Sequence, residues 1–271
     1  MSEIFIENKE VVVPGQLLAK GMDYIPGAGA YREGDEIYAN RVGLISINGR
    51  ALKLIPLSGP YIPKRDDLVI CQISDIFMSG WRVNMFTSNS SMLPLKDATN
   101  SFVSKGSDLS RILAIGEFLA AKVTGVTTQK LVDLSLKGPG LRKLTGGQIV
   151  KYSPTKFPRL IGKGGSMVSL IKDMTGCFII VGQNGRVWVS GEPAREVIAV
   201  KAIHMIEKLA HTSGLTDKVK AFLEAETKQK YDDVLAKKEE RRNERNAQQD
   251  NGAAHSDDGD YDDDDDYEDD K

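Results

Sequence analysis

Apolar and polar positions alternate with a period of two along the first half of the chain, then switch to a period near 3.6. The pattern predicts β modules followed by a mixed α/β unit. Over residues 1–62 the apolar runs are short: Val11-Val12-Val13, Arg41 to Ile47, and Ala51 to Leu57. Pro14-Gly15, Pro26-Gly27, Gly29, Gly34 and Asn48-Gly49 punctuate them. Turns this frequent between runs this short predict a small all-β unit. Gly59-Pro60-Tyr61-Ile62-Pro63 reads as a stiff linker out of it.

From 64 to 145 the strands lengthen. Leu68 to Phe77 alternates around Val69, Cys71, Ile73 and Asp75, and Ser79-Gly80 turns the chain into Gly80 to Phe86. Further strands are expected at Ser91 to Leu95, Glu117 to Gly125 and Lys130 to Leu136, with a loop or short helix near Asp97 to Ser107. Five strands with one irregular connection before the fourth fit an OB-type barrel, a common platform for single-stranded nucleic acids.

After Gly146-Gly147 the period changes. Met167, Leu170, Ile171 and Met174 fall at i, i+3, i+4 and i+7, the buried face of a helix that stops at Gly176. Cys177 to Val181 and Arg186 to Val189 read as two strands, and Asn184-Gly185 between them suits a tight two-residue turn. A last helix from Pro193 to Ala210 places Ile198, Ala202, Met205 and Leu209 on one stripe. Residues 146–212 thus run strand, helix, glycine loop, helix, strand, strand, helix. Residues 215–248 form a polar helical candidate with Glu224/Lys228 and Glu226/Lys230 pairs, whose apolar positions are too sparse to predict a firm docking face.

Charge sharpens this layout. Twelve of the 38 acidic residues but one of the 36 Lys and Arg lie in 250–271, so the preceding residues carry 26 acids against 35 bases, about +9. A basic body suits a polyanionic partner, and the nearly apolar-free stretch 249–271 is expected to be a disordered acidic tail. No run approaches the roughly 18 apolar residues of a membrane span, and the first residues lack a signal-peptide pattern, so a cytoplasmic protein without membrane contact is expected. Cys71 and Cys177 lie singly inside apolar runs, as expected of buried, reduced thiols.

The sharpest chemical signal is Pro158-Arg159-Leu160-Ile161-Gly162-Lys163-Gly164-Gly165-Ser166-Met167. Glycines let the backbone turn tightly and approach a phosphodiester that a β-carbon would hold off. Amides there and at the start of the next helix can donate to phosphate oxygens, Arg159 and Lys163 add charge, and Leu160, Ile161 and Met167 offer apolar surface to bases. Placed between two apolar helical segments, the loop reads as the clamp of a KH domain. A P-loop is excluded, since GxxxxGK[ST] is absent. In the barrel, Trp81 is a candidate for base stacking or for the core, with Arg82, Lys96, Lys105 and Arg111 as phosphate contacts; Trp188 is read as structural. His204, His211 and His255 have no neighbours that suggest nucleophilic or metal chemistry, so no catalytic residue, metal or cofactor is expected.

Gly29-Ala30-Tyr31-Arg32-Glu33-Gly34-Asp35, the Tyr61-Ile62-Pro63 junction, Gly80-Trp81, Ile161 to Met167 and Val181-Gly182-Gln183-Asn184-Gly185-Arg186-Val187-Trp188-Val189 together resemble the S1/KH cap subunits of the archaeal exosome, the ribosomal RNA processing protein 4 family. The resemblance spans about residues 5–212. It implies a multidomain fold, β-rich plus α+β: a ring-binding N-terminal β domain (1–62), an S1 barrel (64–145) and a KH domain (146–212), with the helical extension and tail beyond. It also implies a non-catalytic subunit. Three copies, alone or mixed with a second S1-bearing cap protein, would sit on a hexameric ring of ribonuclease PH-type subunits. They would capture RNA and thread its 3′ end inward, with a preference for adenine-rich tails. The alternative is an S1/KH transcription or translation factor. The known bacterial elongation factors carry tandem KH units, and bacterial polynucleotide phosphorylase places KH before S1, whereas one KH follows S1 here.

Overall fold

The computed structural model describes residues 3–99, 108–212, 214–228, 231 and 234. Lys105, the stretch around it, most of 229–248 and the acidic tail lie outside the described residues.

The first domain holds two four-stranded sheets around one core. One runs β1 (Glu3–Ile4), β3 (Leu17–Lys20), β6 (Glu36–Ala39), β5 (Ala30–Glu33); the other runs β2 (Val11–Val12), β7 (Gly43–Asn48), β8 (Ala51–Pro56), β4 (Ile25–Pro26). Alternation decides the faces. Val12, Ile45, Leu52 and Leu54 point into the core with Leu18 and Ile37, while Val11, Val13, Val42, Ile55 and Leu57 are exposed. Valines and isoleucines on the solvent side of a strand are the feature that stability alone does not require.

The linker delivers the chain to β9 (Leu68–Phe77), which pairs with β10 (Gly80–Asn84) and onward to β11 (Ser91–Pro94). A four-residue helix α1 (Leu95–Ala98) and a 3-10 turn at Leu109–Arg111 precede β12 (Phe118–Val126) and β13 (Val132–Ser135). Strand β13 closes the barrel by pairing parallel to β11 and antiparallel to β12, which returns to β9. The barrel is the five-stranded OB type expected from the strand spacing. A further strand, β14 (Arg142–Leu144), was not foreseen: three residues of Arg-Lys-Leu carry almost no alternation, and pairing with Phe118–Ala120 makes them extended.

Strand β15 (Gln148–Lys151) opens the third domain, followed by α2 (Phe157–Ile161), α3 (Ser166–Thr175), the hairpin β16 (Phe178–Gly182) and β17 (Arg186–Ser190), and α4 (Pro193–Leu209). The sheet order β15-β17-β16 is antiparallel throughout. Two expectations change here. The hairpin loop spans three residues, because Gly182 pairs with Arg186 and only Gly185 adopts positive φ, at 76°. The buried face of α4 is Ala199, Ala202, Ile203 and Ile206, a stripe that shares only Ala202 with the expected one; Ile198 and Leu209 pack at its margin. Beyond it, α5 (Leu215–Thr227) docks firmly, with Leu215, Val219 and Leu223 buried in the same core as α3 and α4. Three apolar residues at four-residue intervals proved sufficient.

Both faces of the third domain's sheet are covered. Val150, Val187, Val181 and Val189 face the helices, whereas Ile149, Trp188 and Ile180 meet Ile70, Ala120 and Leu144 of the barrel. Trp188 is structural, as expected: its Nε1 donates to Gly146 O at 2.9 Å. Cys71 and Cys177 are buried and unpaired.

Candidate nucleic-acid interface

The glycine loop is shaped by three residues in the left-handed region. Gly162 (φ 75°) ends α2, and Gly164 (φ 62°) and Gly165 (φ 85°) lead into α3. Gly162 is needed twice over, since a Cβ there would lie 2.9 Å from both Met167 N and Met167 Cβ. Around Gly164 and Gly165 a Cβ would meet nothing within 4 Å. Those two glycines are fixed by backbone conformation, not packing, and the loop's outer side is open. No side chain caps the first turn of α3, so the positive end of its dipole faces that opening. Arg159, Lys163 and Ser166 are exposed around it.

Two apolar residues expected to meet bases are instead core. Leu160 and Met167 are buried among Leu170, Ile171 and Ile203, because they sit on the inward faces of α2 and α3. Ile161 stays half-exposed beside the loop.

In the barrel, the stacking role for Trp81 is overturned. Its ring is 0 % exposed among Val69, Leu93 and Leu119, and its Nε1 donates to Leu113 O at 3.0 Å. Arg82, next along β10, points outward and lies over the ring of Phe77, 4.8 Å from its centroid. The hairpin between them carries Met78 at 99 % exposure. Lys96 is exposed on α1, whose first amide, Leu95 N, donates to Ser79 O of that hairpin at 2.9 Å. Phe77, Met78, Arg82 and Lys96 therefore share one end of the barrel. Phe77 was missed because it closes an alternating strand and looked like core; its pairing opposite Gly80 turns it outward. Arg111 is exposed on the 3-10 turn and pairs with Asp108 at 3.8 Å.

A polar hub holds the domains. The Asp67 carboxylate accepts from Tyr61 OH of the linker at 2.6 Å, from Lys64 N at 3.1 Å and, with the amide nitrogen turned toward it, from Gln183 of the KH hairpin. Burial, then the bond to Asp67, raises the Tyr61 phenol far above its ordinary range, so it remains a donor at all working pH values. Among the described residues no group of three or more His, Cys, Asp or Glu converges as a metal site would require. No helix of the described residues is long and apolar enough to cross a membrane.

A β domain, a closed OB-type barrel and a KH unit with an open glycine loop define a multidomain RNA-binding protein of the barrel-plus-KH class. Family models agree: residues 9–58 match the exosome RNA-binding protein RRP4 N-terminal domain, and residues 147–195 match the KH domain. Exosome complex component Rrp4 of Methanobrevibacter smithii is 45% identical over 217 residues, 80% of this chain and 72% of that protein. The Pyrococcus abyssi protein of the same name is 45% identical over 227 residues, covering 82% and 85%. A crystal structure provisionally described as an exosome complex RNA-binding protein superposes with a TM-score of 0.57 at 32% identity, over 63% of this chain and 98% of that one. The chain belongs to the exosome complex component Rrp4 family.

Proposed function

We propose that this chain is a non-catalytic RNA-binding cap component of an exosome, working beside other exosome subunits. It captures RNA and guides the 3′ end into a phosphorolytic ring of ribonuclease PH-type subunits for 3′-to-5′ degradation. The observation that carries this is the open glycine loop at an uncapped helix N-terminus, with Arg159 and Lys163 exposed beside it. Three such chains, alone or mixed with a second S1-bearing cap protein, surround the entrance, and adenine-rich tails are favoured. The barrel end carrying Phe77, Arg82 and Lys96 offers a ring and two cations to the same strand, and Arg111 adds another cation.

Ring contact falls to the first domain. The register Val11–Leu44–Ile55 puts three apolar side chains in one row across β2, β7 and β8, with Val13, Val42 and Leu57 beside them. An apolar sheet face of this kind is what a stable subunit interface buries.

The decisive variant combines Lys163→Asp with Gly164→Asp. It is expected to weaken RNA binding and flatten its salt dependence, since fewer phosphates are neutralised and fewer counterions released on binding, while assembly with the ring is retained. Wild-type affinity at physiological salt refutes the reading. Affinity purification that recovers RNA polymerase or ribosomes without ring subunits makes the chain an S1/KH transcription or translation factor instead.

A further inference from the structure

The seam between barrel and KH domain carries an aromatic cluster that neither domain's expected binding surface includes. Phe86 follows β10, is 36 % exposed, and stacks against Phe118 of β12 with ring centroids 6.3 Å apart and planes 18° apart. From the KH side, the Arg186 guanidinium lies over the Phe86 ring at 4.1 Å. Cation and rings thus form one cluster centred on Phe86 and built from two domains.

Three features separate this cluster from ordinary interdomain packing. Phe86 has φ 60°, a conformation that a bulky residue adopts only under strain; Asn84 Oδ1 holds it there by accepting from Phe86 N at 2.7 Å. The next residue, Thr87, has the one buried side-chain oxygen without a hydrogen-bond partner among the described residues. Two consecutive departures from relaxed structure mark a segment shaped by something besides stability. Finally, Arg186 and Lys151, directly opposite each other in the β15–β17 register, take part in no ion pair of the described residues, although Lys143 and Lys122 on the neighbouring barrel are both neutralised, by Glu117 and Asp66. A part-exposed guanidinium against an aromatic pair, with a second cation opposite it in register and neither cation in an ion pair among the described residues, is the chemistry that takes an unstacked base and its phosphate.

We infer that Phe86, Phe118 and Arg186 form a nucleotide-binding step at the seam, over which single-stranded RNA passes between the KH loop and the barrel, with Lys151 on the phosphate. This rests on the RNA-binding reading above and adds a contact that depends on the two domains being locked together.

The test uses the full chain and a fluorescently labelled single-stranded RNA of about 12 nucleotides, within the range of lengths such platforms cover. Phe86→Leu keeps the apolar contact and removes the π face; it is expected to weaken binding roughly 5- to 150-fold, the loss typical of one base–aromatic stack. Phe86→Tyr restores the stack and near-wild-type affinity, and Arg186→Gln weakens binding while lowering its salt dependence. Photocrosslinking with 4-thiouridine RNA places adducts on the peptides carrying Phe86 or Arg186. The inference is overturned if Phe86→Leu and Arg186→Gln, folded as judged by thermal melting, bind like wild type while the Lys163/Gly164 double variant loses affinity. If the wild-type chain binds no RNA, the RNA reading falls and this one with it. If the seam variants weaken binding and the loop variant does not, the seam stands and the loop assignment fails.

Discussion

Asn184 and Ile70, 114 positions apart, are joined as two strands would be: the Asn184 side-chain amide accepts from Ile70 N at 3.2 Å and donates to Ile70 O at 2.7 Å. A second donation reaches Met85 O at 2.9 Å. The side chain of a hairpin loop thereby completes the backbone pairing of the barrel, and Gln183 N adds a bond to Leu68 O at 2.8 Å. Barrel and KH domain are fixed by this loop on one side and by Trp188 against Ile70, Ala120 and Leu144 on the other.

Asn184→Ala leaves a buried N–H and two carbonyls without partners, a loss of about 1–3 kcal/mol. Asn184→Asp can accept from Ile70 N but sets a carboxylate against two carbonyl oxygens, and is expected to be the more damaging at neutral pH. Urea denaturation ranks the three proteins, and small-angle scattering reports whether the domains separate before they unfold. Wild-type stability in both variants rules out a lock.

The lock explains where sequence reasoning succeeded and stopped. Alternation located β9 without error, since a barrel strand faces core on one side only for much of its length. The glycine loop was legible because backbone conformation restricts residue choice locally. Long-range facts were not. Asn184 looked like half of a two-residue turn, and nothing nearby in sequence says that its amide reaches Ile70. Val187-Trp188-Val189 did carry a signal: three consecutive large apolar residues, all buried, require cover on both faces of the sheet. Trp81 failed differently. An aromatic at a strand start has the same local pattern whether it faces core or solvent, and the closure of the barrel through β13 decides the face.

The glycines of the loop separate into two kinds. Gly162→Ala brings a Cβ within 2.9 Å of Met167 N in addition to its unfavourable φ, so a loss exceeding about 2 kcal/mol is expected. Gly164→Ala meets open space and costs about 1–2 kcal/mol from backbone conformation alone. RNA affinity is expected to fall in Gly164→Ala by obstruction of the approach. Thermal melting and RNA titration of both variants check the division; equal destabilisation contradicts it.

Both thiols are predicted to be silent in the folded protein. Burial pushes Cys71 up to about 12, and Cys177 is raised by burial as well. Little thiolate exists at neutral pH, so an aromatic disulfide reagent reacts with neither until denaturant is added. Stoichiometric reaction of native protein at neutral pH contradicts the burial of Cys71 and Cys177.

Lys143 on β14 pairs with Glu117 at 2.5 Å, and this bond is the main reason the Glu117 carboxyl lies below its ordinary range. A depressed folded-state value stabilises the protein above the unfolded pKa, near 4.3. That contribution is lost as pH falls from there through the folded value. Because both side chains are partly solvated, the effect is small, of the order of 0.2–1 kcal/mol. Lys143→Met is expected to return the Glu117 titration to the ordinary range by NMR; an unchanged midpoint removes Lys143 as the cause.

Helix α5 sets a final test, because its polar sequence gave little reason to expect docking. Leu223 is fully buried with Val219 against α3 and α4, and Lys201 of α4 reaches Glu226 of α5 at 3.4 Å. Leu223→Ala deletes a buried branched side chain and is expected to cost about 2–5 kcal/mol, far more than the surface ion pair contributes. Lys218→Ala on the exposed face of the same helix should change stability by less than about 0.5 kcal/mol. Chemical denaturation followed by circular dichroism separates the two. Helix propensity favours leucine and alanine alike, so a large loss at 223 reports packing and not helicity. A loss at Leu223 no larger than at Lys218 means that α5 is not part of the KH core.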